Sequence, residues 1–138
     1  MRAGRAGVTL GGMATRCLIV DDNEAFLEIV SGLLEQEGLN VVGVASTCPD
    51  ALRLFETLRP DVVLLDIFLG EQSGLKLAQR LVEDGHGNRS KVILISTHAE
   101  ADLAELIATS PAAGFLPKTE VSAGAIRRIL DASERRDR

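Results

Sequence analysis

Two hydrophobic periods alternate along the chain between residues 16 and 134. Short unbroken apolar runs at Cys17–Val20, Val41–Ala45, Val62–Leu65, Val92–Ile95 and Gly114–Leu116 predict strands buried on both faces, because a half-buried strand would alternate apolar with polar residues. The segments between them carry apolar residues at helical spacing. In the first, Phe26, Ile29, Val30, Leu33 and Leu34 share one face and Glu24, Glu28 and Glu35 fall opposite. Asp22 or Asn23 supplies its N-cap and Gly38 its stop. The second has Pro49 in its first turn, a stripe of Leu52, Phe55 and Leu58, and Pro60 as terminator. A third helix is predicted over about 75–83, a loop at Gly85–Asn88, a fourth helix over about 99–108 and a fifth over about 121–133. Gly124 weakens the fifth by about 1 kcal/mol if it lies mid-helix.

Strands alternating with helices predict an α/β fold, a doubly wound five-stranded parallel sheet with helices on both faces. The usual order for such a sheet is 2-1-3-4-5, and its chemistry belongs at the carboxyl ends of strands 1 and 3. Strand 1 ends in Asp21-Asp22, strand 3 in Asp66 and strand 4 in Ser96-Thr97, while Pro117-Lys118 follows strand 5. The topology therefore brings three carboxylates, a hydroxyl and an ammonium to one edge. Three acids that close repel one another and need positive charge. Lys118 offers one unit, and a divalent cation offers two more. The donors are hard oxygens, which favours Mg²⁺ over Zn²⁺. This is the inventory of a phosphoryl-transfer site with a carboxylate nucleophile. Asp66, central among the strands, is the attacker, Lys118 stabilises charge on the phosphoryl oxygens, and Ser96 donates a hydrogen bond to one of them. Each residue taken singly also has a plain structural role, as helix cap or surface lysine. It is their convergence that argues for chemistry.

Composition narrows the partners. The 138 residues carry a formal net charge of -5, and all 20 acidic residues lie beyond position 16, against 12 basic residues there. A domain that acidic repels nucleic acid. There is no Trp or Tyr and only four Phe, so no stacking platform for single strands exists. Cys17 and Cys48 form no metal or CxxC spacing and read as reduced apolar fillers. His86 and His98 are too isolated for a metal cluster. No apolar run approaches the ~20 residues that cross a bilayer. A cytoplasmic location is expected. Residues 1–15, rich in glycine and without a signal-peptide core, are expected to be a disordered extension. Residues 16–134 form the domain, and residues 135–138 form a charged tail.

At CLIVDDNE (17–24), PDVVLLDIFLGEQSG (60–74), KVILISTH (91–98) and GFLPKTE (114–120) the chain resembles the receiver domain of bacterial two-component response regulators. The resemblance covers nearly all of residues 16–134, and the ordered set is far more specific than any one stretch. It implies that Asp66 is the phosphoacceptor and that Asp21 and Asp22 hold Mg²⁺, with Asp66 and the main-chain carbonyl of Phe68 completing the metal site. Ser96 is then the switch hydroxyl, Lys118 the essential lysine, and Phe115 the aromatic that follows Ser96. There are departures. Gly70 stands where the family usually has proline. Pro117 precedes Lys118 and Thr119 follows it, so the cis bond the family often has after the lysine is not expected. Thr97 replaces a smaller residue, and Thr97, His98 and Phe68 are placed to crowd the phosphoryl group and lengthen its lifetime.

The expected role is a single-domain response regulator. It takes its phosphoryl group from a histidine kinase or a histidine phosphotransfer protein and signals by protein contacts, without enzymatic turnover beyond its own phosphorylation and dephosphorylation. Glu100, Asp102 and Glu105 on helix 4 and Arg127 and Arg128 on helix 5 read most simply as solvated faces. The sharper reading is a phosphorylation-dependent homodimer. Three rivals are a degenerate receiver that binds partners without phosphorylation, a phosphatase of the haloacid dehalogenase type, and a flavodoxin-like cofactor binder. The complete five-residue set disfavours the first. The missing DxD motif disfavours the second, and the missing phosphate-cradling loop after strand 1 disfavours the third.

Overall fold

The computed structural model describes residues 14–70, 72–84, 90–98 and 100–136. Of the expected extension only residues 14 and 15 fall within it. The loop at Gly85–Asn88 and the last two residues of the tail lie outside the described residues.

Five parallel strands, β1 (Arg16–Val20), β2 (Asn40–Ala45), β3 (Val62–Asp66), β4 (Lys91–Ser96) and β5 (Gly114–Pro117), form one sheet. Its order is β2-β1-β3-β4-β5, the expected doubly wound order, with the reversal at β1 and β3. Five helices connect or follow the strands: α1 (Glu24–Gln36), α2 (Cys48–Leu58), α3 (Gly74–Asp84), α4 (Ala104–Ala108) and α5 (Ala123–Arg136). A short antiparallel hairpin, Phe68–Leu69 with Gln72–Ser73, follows β3.

Burial on both faces explains the continuous apolar runs of β1, β3 and β4; β2 lies at the sheet edge and departs from the expectation, with Val44 44% exposed. Leu18, Val20, Val63, Leu65, Val92 and Leu94 pack with Ala51 and Phe55 of α2 and with Leu77, Ala78 and Leu81 of α3. Cys17, Ile19, Val62, Leu64 and Ile93, of opposite parity, pack with Leu27, Val30 and Leu34 of α1 and with Ala125 and Ile126 of α5. The period of two thus divides each strand between two cores. Within the second core Cys17 is fully buried, and burial pushes its thiol up to about 12. It is inert filler. Both cysteines are free thiols.

Helix ends follow side-chain chemistry. Asn23 caps α1 and Thr47 caps α2 with Pro49 in the first turn, while Arg59 ends α2 in the left-handed region at φ 50. Pro60 enforces that exit by disfavouring helical backbone at Arg59. The C-terminus of α1 is tied to α5. The Glu37 carboxylate accepts from Ala123 N–H at 2.7 Å, and Arg127 donates to the Glu37 carbonyl at 3.4 Å.

Three expectations are corrected. The inward face of α1 is Leu27, Val30 and Leu34, whereas Ile29 is 71% and Leu33 38% exposed. The stripe that meets the sheet is narrower than the apolar stripe in the sequence. The fourth helix is a 3-10 turn, Glu100–Leu103, followed by only one short α-helical segment. No side chain caps it, and a helix that short gains little from its own hydrogen bonds. The fifth helix starts two residues late. Lys118–Glu120 form a 3-10 turn, and Ser122 takes Ala125 N–H at 3.0 Å. Gly124 therefore sits in the first turn and not mid-helix.

Candidate functional site

Register sets the height of the acids. Val20 lies opposite Leu65, so the residues that follow β1 and end β3 emerge together at the sheet edge. Carboxylate oxygens of Asp21, Asp22 and Asp66 all lie within 4.8 Å of one another. Asp21 is fully buried and Asp66 is 5% exposed, while Asp22 faces solvent. Lys118 enters from the turn after β5, with Nζ 2.7 Å from Asp21 Oδ2 and 3.3 Å from Asp66 Oδ2. The remaining carboxylate oxygens fix the local backbone. Asp21 Oδ1 accepts from Asn23 N–H at 2.8 Å, and Asp66 Oδ1 accepts from Phe68 N–H at 3.1 Å.

The charges do not balance. Burial and the neighbouring Asp21 charge push the Asp66 carboxyl above its usual range, and the Phe68 N–H and Lys118 pull it back only in part. Burial alone would lower the Lys118 ammonium, but hydrogen bonding and attraction from Asp21 and Asp66 outweigh it and hold Lys118 above the usual lysine value. One ammonium against three acids leaves a surplus of negative charge, presented by hard oxygens. Such a donor set fits a small divalent cation of the magnesium kind.

Ser96 ends β4 and is 1% exposed. Its Oγ accepts from His98 N–H at 3.0 Å and lies 3.3 Å from His98 Nδ1. The His98 ring in turn meets the Phe68 ring at 5.1 Å between centroids, tilted by 54°. The two aromatic residues singled out in the sequence thus form one pair across the mouth of the site, and Thr97 is exposed beside them. Phe115 is 8% exposed, inside the first core. Gly70 has φ 58, a value closed to proline, whose ring holds φ near −65°. Among the described residues there is no cis peptide bond.

Two residues here were given no role from the sequence. A Cβ on Gly74 would lie 2.0 Å from the Asp66 carbonyl oxygen, and Gly74 N–H donates to the Ile67 carbonyl at 2.8 Å. The start of α3 is thereby pressed onto the backbone of the acid. Phe26, in the first turn of α1, lies under the Lys118 ammonium, 4.8 Å from Nζ to the ring centroid. The signal for Gly74 was present as a glycine at a loop-to-helix junction. Nothing in the sequence marked Phe26, since one aromatic on a helix reads as core.

Among the described residues no helix is long and apolar enough to cross a membrane. The family model of the response regulator receiver domain matches residues 17–130. The curated Probable transcriptional regulatory protein NarL of Mycobacterium tuberculosis (strain ATCC 25618 / H37Rv) is 32% identical over 123 residues, 88% of this chain and 56% of that protein. The heme response regulator HssR of Staphylococcus saprophyticus is 40% identical over 70 residues, 51% of this chain and 31% of that protein. The chain therefore spans little more than half the length of the first relative and a third of the second. Among solved structures, the signal receiver domain of NarL from Mycobacterium tuberculosis aligns with a TM-score of 0.75 at 30% identity, covering 89% of this chain and 98% of that one. The CheY-like receiver domain protein from Methanospirillum hungatei JF-1 aligns with a TM-score of 0.74 at 26% identity, over 90% and 99% of the two chains.

Proposed function

This chain belongs to the response regulator receiver family, and from that premise we propose that Asp66 accepts a phosphoryl group from the phosphohistidine of a histidine kinase or a histidine phosphotransfer protein. Residues 16–134 are the receiver unit. The single observation that carries the reading is the meeting of three carboxylates within 4.8 Å with the Lys118 ammonium, which bridges Asp21 and Asp66.

An oxygen of Asp66 bonds to phosphorus as the phosphorus–nitrogen bond of the donor breaks, and the bonding pair leaves on the imidazole. Asp66 Oδ1 is held by Phe68 N–H, so the carboxylate keeps one orientation during attack. Lys118 faces the charge that builds on the phosphoryl oxygens. The groups that would hold Mg²⁺ are Asp21, Asp22, Asp66 and the main-chain carbonyl of Phe68. When bound it supplies the further positive charge that the three acids and the phosphoryl oxygens require. Ser96, released from His98, donates its hydroxyl to a phosphoryl oxygen, and Phe115 follows it. That shift biases the surface of α4, β5 and α5 toward a downstream protein. On this surface Asp102, Glu105 and Arg128 are exposed. Arg127 is exposed too but turns to the carbonyl of Glu37, which weakens its part in pairing two copies.

The test is labelling by acetyl phosphate with and without Mg²⁺, with the modified residue located by mass spectrometry. One acid-stable, base-labile acyl phosphate at residue 66 that disappears with EDTA is expected. Labelling at another residue, or none, rejects the proposal.

The aromatic pair gives a second expected result. Phe68 is 45% exposed and leans on His98, where it restricts water at the phosphoryl group. Phe68→Ala should speed phosphate loss by about threefold to tenfold, equivalent to ~0.6–1.4 kcal/mol of barrier. Loss of label followed in time reads this out, and an unchanged rate rejects the shielding role of Phe68.

A further inference from the structure

The Lys118 ammonium has one neighbour, the Phe26 ring, that the phosphoacceptor reading does not use. Asp21 and Asp66 take two of its flanks, and the Phe26 ring takes a third at 4.8 Å. The placement of that ring is fixed by the same acid. Asp21 Oδ1 holds Asn23 N–H at 2.8 Å, and Asn23 Oδ1 holds Phe26 N–H at 3.0 Å. The contacts close a circuit: Asp21 to Asn23, Asn23 to Phe26, Phe26 to Lys118, and Lys118 back to Asp21. Phe26 is half-buried against the second core, and the Lys118 side chain is only 12% exposed. A ring face attracts an ammonium through its quadrupole, and most strongly where water is excluded.

We propose that Phe26 is a positioning residue for phosphoryl transfer: its ring closes the open flank of Lys118 and aims the ammonium at the space beside Asp66. An ammonium has three N–H donors. Asp66 Oδ2 accepts one of them at 3.3 Å, Asp21 Oδ2 lies 2.7 Å away as an ion-pair partner, and the ring keeps water from its own flank. A donor turned away from the ring is then left for a phosphoryl oxygen. An aliphatic side chain of similar bulk would fill the volume but would leave the ammonium with no preference for that flank.

The inference rests on Asp66 being the phosphoacceptor, and the experiment separates the two. Wild type, Phe26→Leu, Phe26→Tyr and Phe26→Trp are labelled by acetyl phosphate with Mg²⁺, which avoids any effect on docking of a kinase. Phe26→Leu should label about threefold to thirtyfold more slowly, the span expected for one cation–π contact between exposed and desolvated limits. Phe26→Tyr and Phe26→Trp keep a ring face and should stay within about twofold of wild type. In the unlabelled protein the Lys118 Hε resonances should lie upfield from the ring current and move back in Phe26→Leu. Equal rates for wild type and Phe26→Leu overturn the inference, as does a Phe26→Tyr as slow as Phe26→Leu. If wild type takes no label at all, the phosphoacceptor reading is what fails. The position of the Lys118 resonances in the wild-type spectrum, which needs no variant, then decides whether the ring holds the ammonium.

Discussion

Asp66→Asn should leave the chain wholly unlabelled by acetyl phosphate, while the protein stays folded and becomes more resistant to heat. An amide oxygen cannot form the acyl phosphate, so the loss is total and not a slowing. The fold survives because asparagine keeps the acceptor that holds Phe68 N–H at 3.1 Å, and because Lys118 keeps Asp21 at 2.7 Å. The gain in stability follows from linkage. Burial and the Asp21 charge raise the Asp66 pKa in the folded chain above the ordinary 3.8. An acid raised by folding binds protons more tightly folded than unfolded. Its favourable contribution is present in full below the unfolded value and is lost as pH rises through the folded one. At neutral pH, without a divalent cation, the ionised carboxyl is a net cost that the amide removes. Melting measured from pH 3 upward in EDTA should show wild type losing stability through that window and Asp66→Asn losing less. Label retained by Asp66→Asn removes the assignment. A variant that melts lower than wild type at neutral pH removes the electrostatic account.

Gly74→Ala carries the larger structural penalty. The added methyl would sit 2.0 Å from the Asp66 carbonyl oxygen and 2.9 Å from that of Ile67, and neither backbone group can swing aside. Ile67 N–H is bonded to the Ile95 carbonyl in the central sheet at 3.0 Å, and the Ile67 carbonyl takes Gly74 N–H at 2.8 Å. Overpacking against side chains costs about 1–3 kcal/mol, and against fixed backbone the upper end or more is expected. Relief requires α3 to back away from β3 or the end of β3 to tilt, and the second displaces the Asp66 carboxylate. Chemical denaturation should give a loss of about 3 kcal/mol or more. Labelling of the fraction that still folds should be slower than wild type. A variant as stable as wild type shows that this approach of helix to strand is not obligatory.

The sheet was legible because its central strands are buried on both sides. Runs such as Val62–Leu65 have no polar residue to confuse with a helix face, and their spacing left one common winding order. The acids were legible for a related reason, since residues that end buried parallel strands collect at one edge. What escaped was set by packing that no local pattern records. Ile29 and Leu33 look inward by period, yet α1 presents only Leu27, Val30 and Leu34 to the sheet. The residues from 100 to 108 have helical spacing but no cap, and they split between two helix types. Gly74 and Phe26 matter through atoms 8 and 92 positions away in sequence, Asp66 and Lys118. Contacts of that kind become visible only once the winding is known. The contact between the Phe68 and His98 rings was not foreseen, because the sequence placed each residue only relative to Asp66 and Ser96.

The mutual tie between Glu37 and the start of α5 divides the molecule mechanically. One residue grips α5 through its carboxylate and is gripped through its carbonyl by Arg127, so α1 and α5 are yoked on one side of the sheet. On the other side, beside α2 and α3, stand a two-residue-per-strand hairpin and a helix of five residues. A displacement at the acid edge should therefore pass into these short segments more readily than into the tied pair. Direction of travel is, in this molecule, a property of where the bracing was put.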